Sequence, residues 1–217
     1  MIISKDFIEY LKNFSSITTQ MMFVEGKTQS IISPEKGIFA SFTTDVEIDK
    51  QFGIYDISKF LNVLNLFTDP QLQVNDKNVK IFSDVDKKEV IYQISEYIVY
   101  ETNTAKYSSM QEVVEFDLNF TDLSELNKIA HILDSKNIMF EGTGKDIFLK
   151  VINENDNAGS GMVKIGKSDK LFKAIVDREK MKLMNRNYRV GLSEKKAIHF
   201  SSDMLDYYMS LDRRSEI

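Results

Sequence analysis

Glu9-Tyr10-Leu11-Lys12 has an echo in Glu125-Leu126-Asn127-Lys128, 116 residues further on. Met22-Phe23 returns as Met139-Phe140 at an offset of 117, and Gly53-Ile54-Tyr55-Asp56 as Ala174-Ile175-Val176-Asp177 at 121. Lys59 returns as Lys180 at the same 121, Val74 as Val190 at 116, and Phe82-Ser83 as Phe200-Ser201 at 118. Each pairing alone is weak. Six in order, with offsets drifting by only five residues, are the mark of one structural unit written twice.

The unit itself follows from hydrophobic periodicity. Ser4 can cap a helix over residues 4–16, with Asp6 near the positive end of its dipole. Phe7, Ile8, Leu11 and Phe14 form one apolar stripe, and Lys5, Glu9, Lys12 and Ser16 the opposite face. A second helix is expected over Asp56–Phe67, with Asp56 as its cap and Asp69-Pro70 as its stop. Between and after these helices lie short β-type runs, such as Ile38–Thr43, Val79–Phe82 and Val90–Ile94. The second half repeats the plan, with a helix at Asp122–Leu133 and a short one at Asp177–Met184. Residues 101–112 are polar and linker-like, so the expected domains are 1–105 and 106–217. Helix stripes of this kind bury against sheets. The fold class is α+β, two pseudo-repeated domains each with two helices packed on antiparallel sheet.

Composition narrows the chemistry. A chain of 217 residues with 42% apolar and 28% charged residues can hold a core and is not disordered. It has no Cys, so it has neither disulfides nor thiolate metal sites, and His131 and His199 are its only histidines. The start lacks a secretory signal and no apolar run is long enough for a membrane helix. A soluble cytoplasmic protein without metal or cofactor is the expectation. The formal charge is −5, and all five arginines lie after position 177 while the other 23 basic residues are lysine. Nucleic-acid contact must therefore come from a local basic face, not from the whole surface.

Gly161-Met162-Val163-Lys164-Ile165-Gly166-Lys167-Ser168 satisfies the G-x-x-x-x-G-K-S spacing of a phosphate loop. Its entry is a polar run, and Met-Val-Lys-Ile alternates like a strand, so the backbone cannot curl around phosphate. Asn153, Asn155 and Asn157 alternate as in a calcium loop, but Ala158 and Lys164 stand where Gly and Glu are required. His131, on the polar face of its helix, has no Ser or carboxylate partner in sight. No nucleophile constellation is found, and the chain is not expected to be an enzyme.

What remains is a basic set on helix faces. Lys5 and Lys12 share a face, and Lys59, Lys128 and Lys180 fall at or near equivalent repeat positions. Arg178, Lys180, Lys182, Arg186 and Arg189 crowd one short stretch, whereas many acids lie in presumed strands and turns. These residues by themselves fit either a DNA-binding module or a protein-interaction adaptor of duplicated β-rich domains.

Ser4-Lys5-Asp6 with Leu11-Lys12-Asn13-Phe14 resembles the opening helix of the T4-type phage DNA polymerase sliding clamps. Ile54-Tyr55-Asp56 followed by Phe60-Leu61 and Leu64 resembles that family's second helix, and Met181-Lys182-Leu183-Met184 before Asn187-Tyr188 its fourth. The resemblance implies the DNA-clamp fold and a homotrimeric ring that encircles duplex DNA without reading its sequence. It implies Lys5 and Lys12 in the channel, and helix face and repeat position add Lys59, Lys128, Arg178 and Lys182. It further implies a partner pocket near the linker, for which Phe39 and Tyr107 are the candidates. The implied partners are the replicative DNA polymerase, the clamp loader and late-transcription factors, in the cytoplasm of an infected bacterium.

Overall fold

A computed structural model describes residues 1–95, 98, 107, 109–152 and 159–217. Most of the linker stretch (101–106 and 108) and the asparagine run 153–158 lie outside the described residues. The chain forms two compact units, Met1–Asn103 and Thr104–Ile217.

The first unit runs α1 (Lys5–Ile17), β1 (Met21–Phe23), β2 (Gly26–Ile32), β3 (Ile38–Ile48), β4 (Phe52–Ile54), α2 (Ile57–Leu64), β5 (Gln71–Val74), β6 (Asn78–Ser83) and β7 (Lys88–Gln93). Ser4 Oγ accepts from the Phe7 N–H at 3.3 Å and so caps α1 as its sequence position predicts. The buried stripe is Phe7, Tyr10, Leu11, Phe14 and Ile17. Phe42 of β3 is its receptor: its ring lies 5.6, 4.7 and 5.1 Å from those of Phe7, Tyr10 and Phe14. Asp56 caps α2 by accepting from the Lys59 N–H at 2.9 Å. That helix buries Ile57, Phe60, Leu61 and Leu64 and stops at Leu64, short of the expected Phe67.

The second unit runs β8 (Val114–Leu118), α3 (Phe120–Ile132), β9 (Asn137–Thr143), β10 (Asp146–Ile152), β11 (Gly161–Lys167) and β12 (Leu171–Asp177), then a single 3-10 turn at Arg178–Lys180. It closes with β13 (Tyr188–Ser193), β14 (Ala197–Ser202) and β15 (Leu205–Ser210). One sheet has the order β11-β10-β9-β12, and β8, β13, β14 and β15 pair in that order. Phe140, Phe200, Tyr207 and Leu149 are fully buried in its core.

The duplication is visible in the pairings. Antiparallel β1–β4 answers to β9–β12, β2–β3 to β10–β11, and β5-β6-β7 to β13-β14-β15. The bridge between Ile2 and Gln71 stands where the second unit has its β8–β13 ladder. One backbone bond repeats as well. The Ile57 N–H donates to Thr19 O at 2.9 Å, and the Arg178 N–H donates to Lys136 O at 2.8 Å, at offsets of 121 and 117.

Register corrects two of the sequence pairings. Leu72 faces Ile81 across the ladder, as Val190 faces Phe200. Phe200 therefore answers to Ile81, not to Phe82, and Val190 to Leu72, not to Val74. A slip of one residue turns a side chain to the other face of a strand, which is why Phe200 is buried while Phe82 is half-exposed.

The fourth helix is also corrected. Asp177 caps only the turn Arg178–Lys180, by accepting from the Glu179 N–H at 2.9 Å. Eight residues are too few to sustain a helix without an apolar stripe, and in this stretch only Met181 is buried. Among the described residues from 109 to 217, α3 is thus the one α-helix. Ser135, just past the end of α3, is buried and donates to Ile152 O at 2.6 Å.

Candidate nucleic-acid interface

Lys5, Glu9 and Lys12 are exposed along one face of α1, opposite its aromatic stripe. Neither lysine has an ion pair among the described residues. In the same unit, α2 packs beside α1 and carries Lys59, whose side chain is 78% exposed. Its ammonium sits 3.6 Å from the Asp56 carboxylate, a solvent-screened pair that contributes little and leaves the cation available. Lys128 is exposed on α3.

Arg178 and Lys182 differ from expectation. Their spacing of four puts them on a common face only in an α-helix, and here the chain after Lys180 is irregular. Arg178 is half-buried and its backbone is tied to Lys136; Lys182 is exposed. Lys136 was not picked out by the sequence. It is exposed, and the repeated backbone bond brings it next to Arg178. Only the repeat offsets, carried through to Thr19, could have pointed to it.

Within each unit these cations, mostly flexible ammonium ions, make a diffuse surface interspersed with Asp6 and Glu9 in the first unit and with Glu125 in the second. Such a surface attracts a phosphate backbone weakly and has no rigid fork with which to read a base edge. Acids line other strands. Asp45 and Glu47 alternate outward along β3, and Glu115 and Asp117 along β8.

The partner-pocket candidates divide. Phe39 is 3% exposed on β3, because it lies in a run of buried neighbours, Ile38 to Ala40, and offers no surface to a partner. Tyr107 is half-buried, with its ring 5.6 Å from that of Tyr208. Gly161–Lys167 is strand β11, laddered to β10, and Lys164 reaches the Asp146 carboxylate at 2.6 Å. That carboxylate is held below its usual range chiefly by the hydrogen bond from Lys164. The phosphate-loop spacing is therefore spent on a strand. A cleft of about 610 Å³ in the second unit, lined by Asn119, Arg186, Asn187, Arg189 and Asp203 among others, was not foreseen. No helix among the described residues is long and apolar enough to cross a membrane.

A family model described as DNA polymerase processivity factor matches residues 4–106. The sliding clamp of Escherichia phage RB69 is 26% identical over 231 residues, spanning 99% of this chain and 98% of its own. That of Enterobacteria phage T4 is 24% identical over 229 residues, spanning 99% and 98%. The crystal structure of the Proliferating Cellular Nuclear Antigen from Entamoeba histolytica matches with a TM-score of 0.74 at 13% identity, over 95% of this chain and 94% of that one. This last likeness is one of fold alone.

Proposed function

From the premise that this chain belongs to the T4-type sliding clamps, the processivity factors of DNA polymerase, we propose that three copies close head to tail into a ring around duplex DNA. The observation that carries this reading is the duplicated unit with lysines on its exposed helix faces. A ring keeps its DNA by topology, so strong or sequence-specific contacts would only slow its movement. Flexible ammonium groups give a shallow, sequence-blind attraction that varies little from one base pair to the next. A chain with net charge −5 then discourages DNA from binding anywhere but at that local face.

The sheets support closure. β7 ends the β5-β6-β7 sheet of the first unit, and β11 ends the β11-β10-β9-β12 sheet of the second. Two edges that are open among the described residues, one in each half of the chain, suit a heterologous contact repeated around a rotation axis. In this reading Lys5, Lys12, Lys59, Lys128, Arg178 and Lys182 face the DNA, and we add Lys136 because it is exposed and tied through its backbone to Arg178. The partners are the polymerase, an ATP-driven loader and late-transcription factors, all in the infected bacterial cytoplasm. The chain itself turns over no substrate.

The deciding experiment is mass in solution by light scattering, together with retention on circular and linear DNA. A trimeric mass and retention that is lost when the circle is cut are expected. A monomer with no ring in micrographs would instead make the chain a protein-interaction adaptor.

A further inference from the structure

His199, on β14, stands between two carboxylates. Its Nδ1 lies 2.6 Å from Glu112 Oε1 and its Nε2 lies 2.8 Å from Asp206 Oδ1. A neutral imidazole has one N–H and can donate to one acceptor only; the imidazolium has two. Both contacts are hydrogen bonds at once only when the ring is charged.

The three residues come from different parts of the second unit. Asp206 is on β15, next to β14 in the sheet, while Glu112 belongs to the irregular stretch ahead of β8. The ring of His199 lies flat on Tyr208 of β15, with centroids 4.0 Å apart and planes at 6°. Tyr208 in turn meets Tyr107 at 5.6 Å. One imidazole thus links Glu112, ahead of β8, to the β14–β15 pair. Gly191 of β13, which faces His199 in the ladder, has no side chain in the way, and the Glu112 carboxylate lies over it.

The charges around the ring are lopsided. Glu112, Asp206, Glu115 and, farther off, Asp117 are acids, and the phenol rings of Tyr107 and Tyr208 bring no positive charge. Among the described residues, the fixed cation here is Arg189 of β13, 3.9 Å from Glu112 and 2.5 Å from Glu115 of β8. It is committed mainly to Glu115, so the proton on His199 is what offsets Glu112 and Asp206.

We propose that His199 is a proton-operated clasp: as imidazolium it holds residues 109–112, through Glu112, on the β13–β14–β15 face, and on deprotonation it releases them. Burial works against the charged ring, and the bonds to Asp206 and Glu112 outweigh it, so His199 titrates above the ordinary imidazole value. The sign follows. The clasp is fully closed below the ordinary histidine value and opens as pH rises through the raised one. Release stops at Val113, whose own N–H donates to Leu192 O at 2.7 Å.

The test uses the full chain in two measurements. The His199 ring is titrated by NMR, and amide exchange of residues 109–112, corrected for intrinsic rates, is followed on both sides of its transition. The expected result is a ring pKa above the ordinary value and a loss of protection of about tenfold as the ring deprotonates. His199→Gln, which keeps a single donor nitrogen and no charge, should show the weakened protection at every pH. Glu112→Gln should lower the ring's pKa. A ring that titrates at or below the ordinary value, or protection unchanged across its transition, overturns the proposal. Both quantities are read on the unaltered protein, so the clasp stands or falls even if a variant fails to fold.

Discussion

The carboxylate of Glu112 occupies the space that a side chain at residue 191 would fill. A Cβ built on Gly191 would lie closer to the Glu112 carboxyl atoms than real Cβ atoms ever lie to a neighbour. Gly191 is not among the residues with left-handed backbone, so alanine costs the collision and nothing else. Gly191→Ala should therefore lower thermal stability by about 1–3 kcal/mol, through displacement of Glu112 from His199. Calorimetry of the variant checks this; an unchanged melting temperature would show that Glu112 can move aside without cost.

Charge reversal on α1 tests the DNA-facing reading. Lys5→Glu with Lys12→Glu alters two exposed side chains opposite the buried stripe, so mass in solution and melting temperature should not change. Affinity for duplex DNA should fall, and the slope of its logarithm against that of salt should drop by about two. If processive synthesis on circular DNA is undiminished, these lysines do not face the DNA.

Phe42 and Phe82 make a matched pair. Phe42 is 1% exposed and touches three rings of α1, whereas Phe82 is half-exposed on β6. Phe42→Ala should cost about 3–5 kcal/mol in denaturant unfolding. Phe82→Ala should cost about 1 kcal/mol, the ordinary size of a surface-proximal change. Equal costs would mean that the register of β6 against β5 is not the one described.

Alkaline pH should loosen the second unit. Burial, and after it the Asp206 and Glu112 carboxylates, push the Tyr208 phenol from 10.0 up to about 12. Burial also raises Tyr207, with its neighbour Tyr188 as the second cause. A raised acid keeps its proton better in the folded state, so the stabilisation is complete below pH 10.0 and is lost as pH climbs through about 12. Ultraviolet titration of phenolate formation should show these two rings ionising late and together with unfolding.

Much of this architecture could be read from residues alone, because local chemistry and tertiary context point the same way. Ser4 and Asp56 cap the helices that their positions announce, and the stripe Phe7-Leu11-Phe14 is buried as its spacing requires. Strand β11 was legible because Met162 to Ile165 alternate. What failed was one-residue register, where Phe82 and Phe200 share a letter but not a face. The Asp177 segment failed for another reason: a good cap begins a turn, but without buried neighbours nothing propagates it. The contacts of His199 were invisible, since Glu112 lies 87 residues away in sequence and Gly191 reveals its role only once the strands are paired.

The tie from residue 57 to residue 19, and from 178 to 136, is made of main chain on both sides. It joins a helix start in one half and a bare turn in the other, and it is indifferent to every codon at those positions except one for proline at the donor. Ancestral copies joined this way could diverge letter by letter until their kinship faded from the text, and the corner they share would still close.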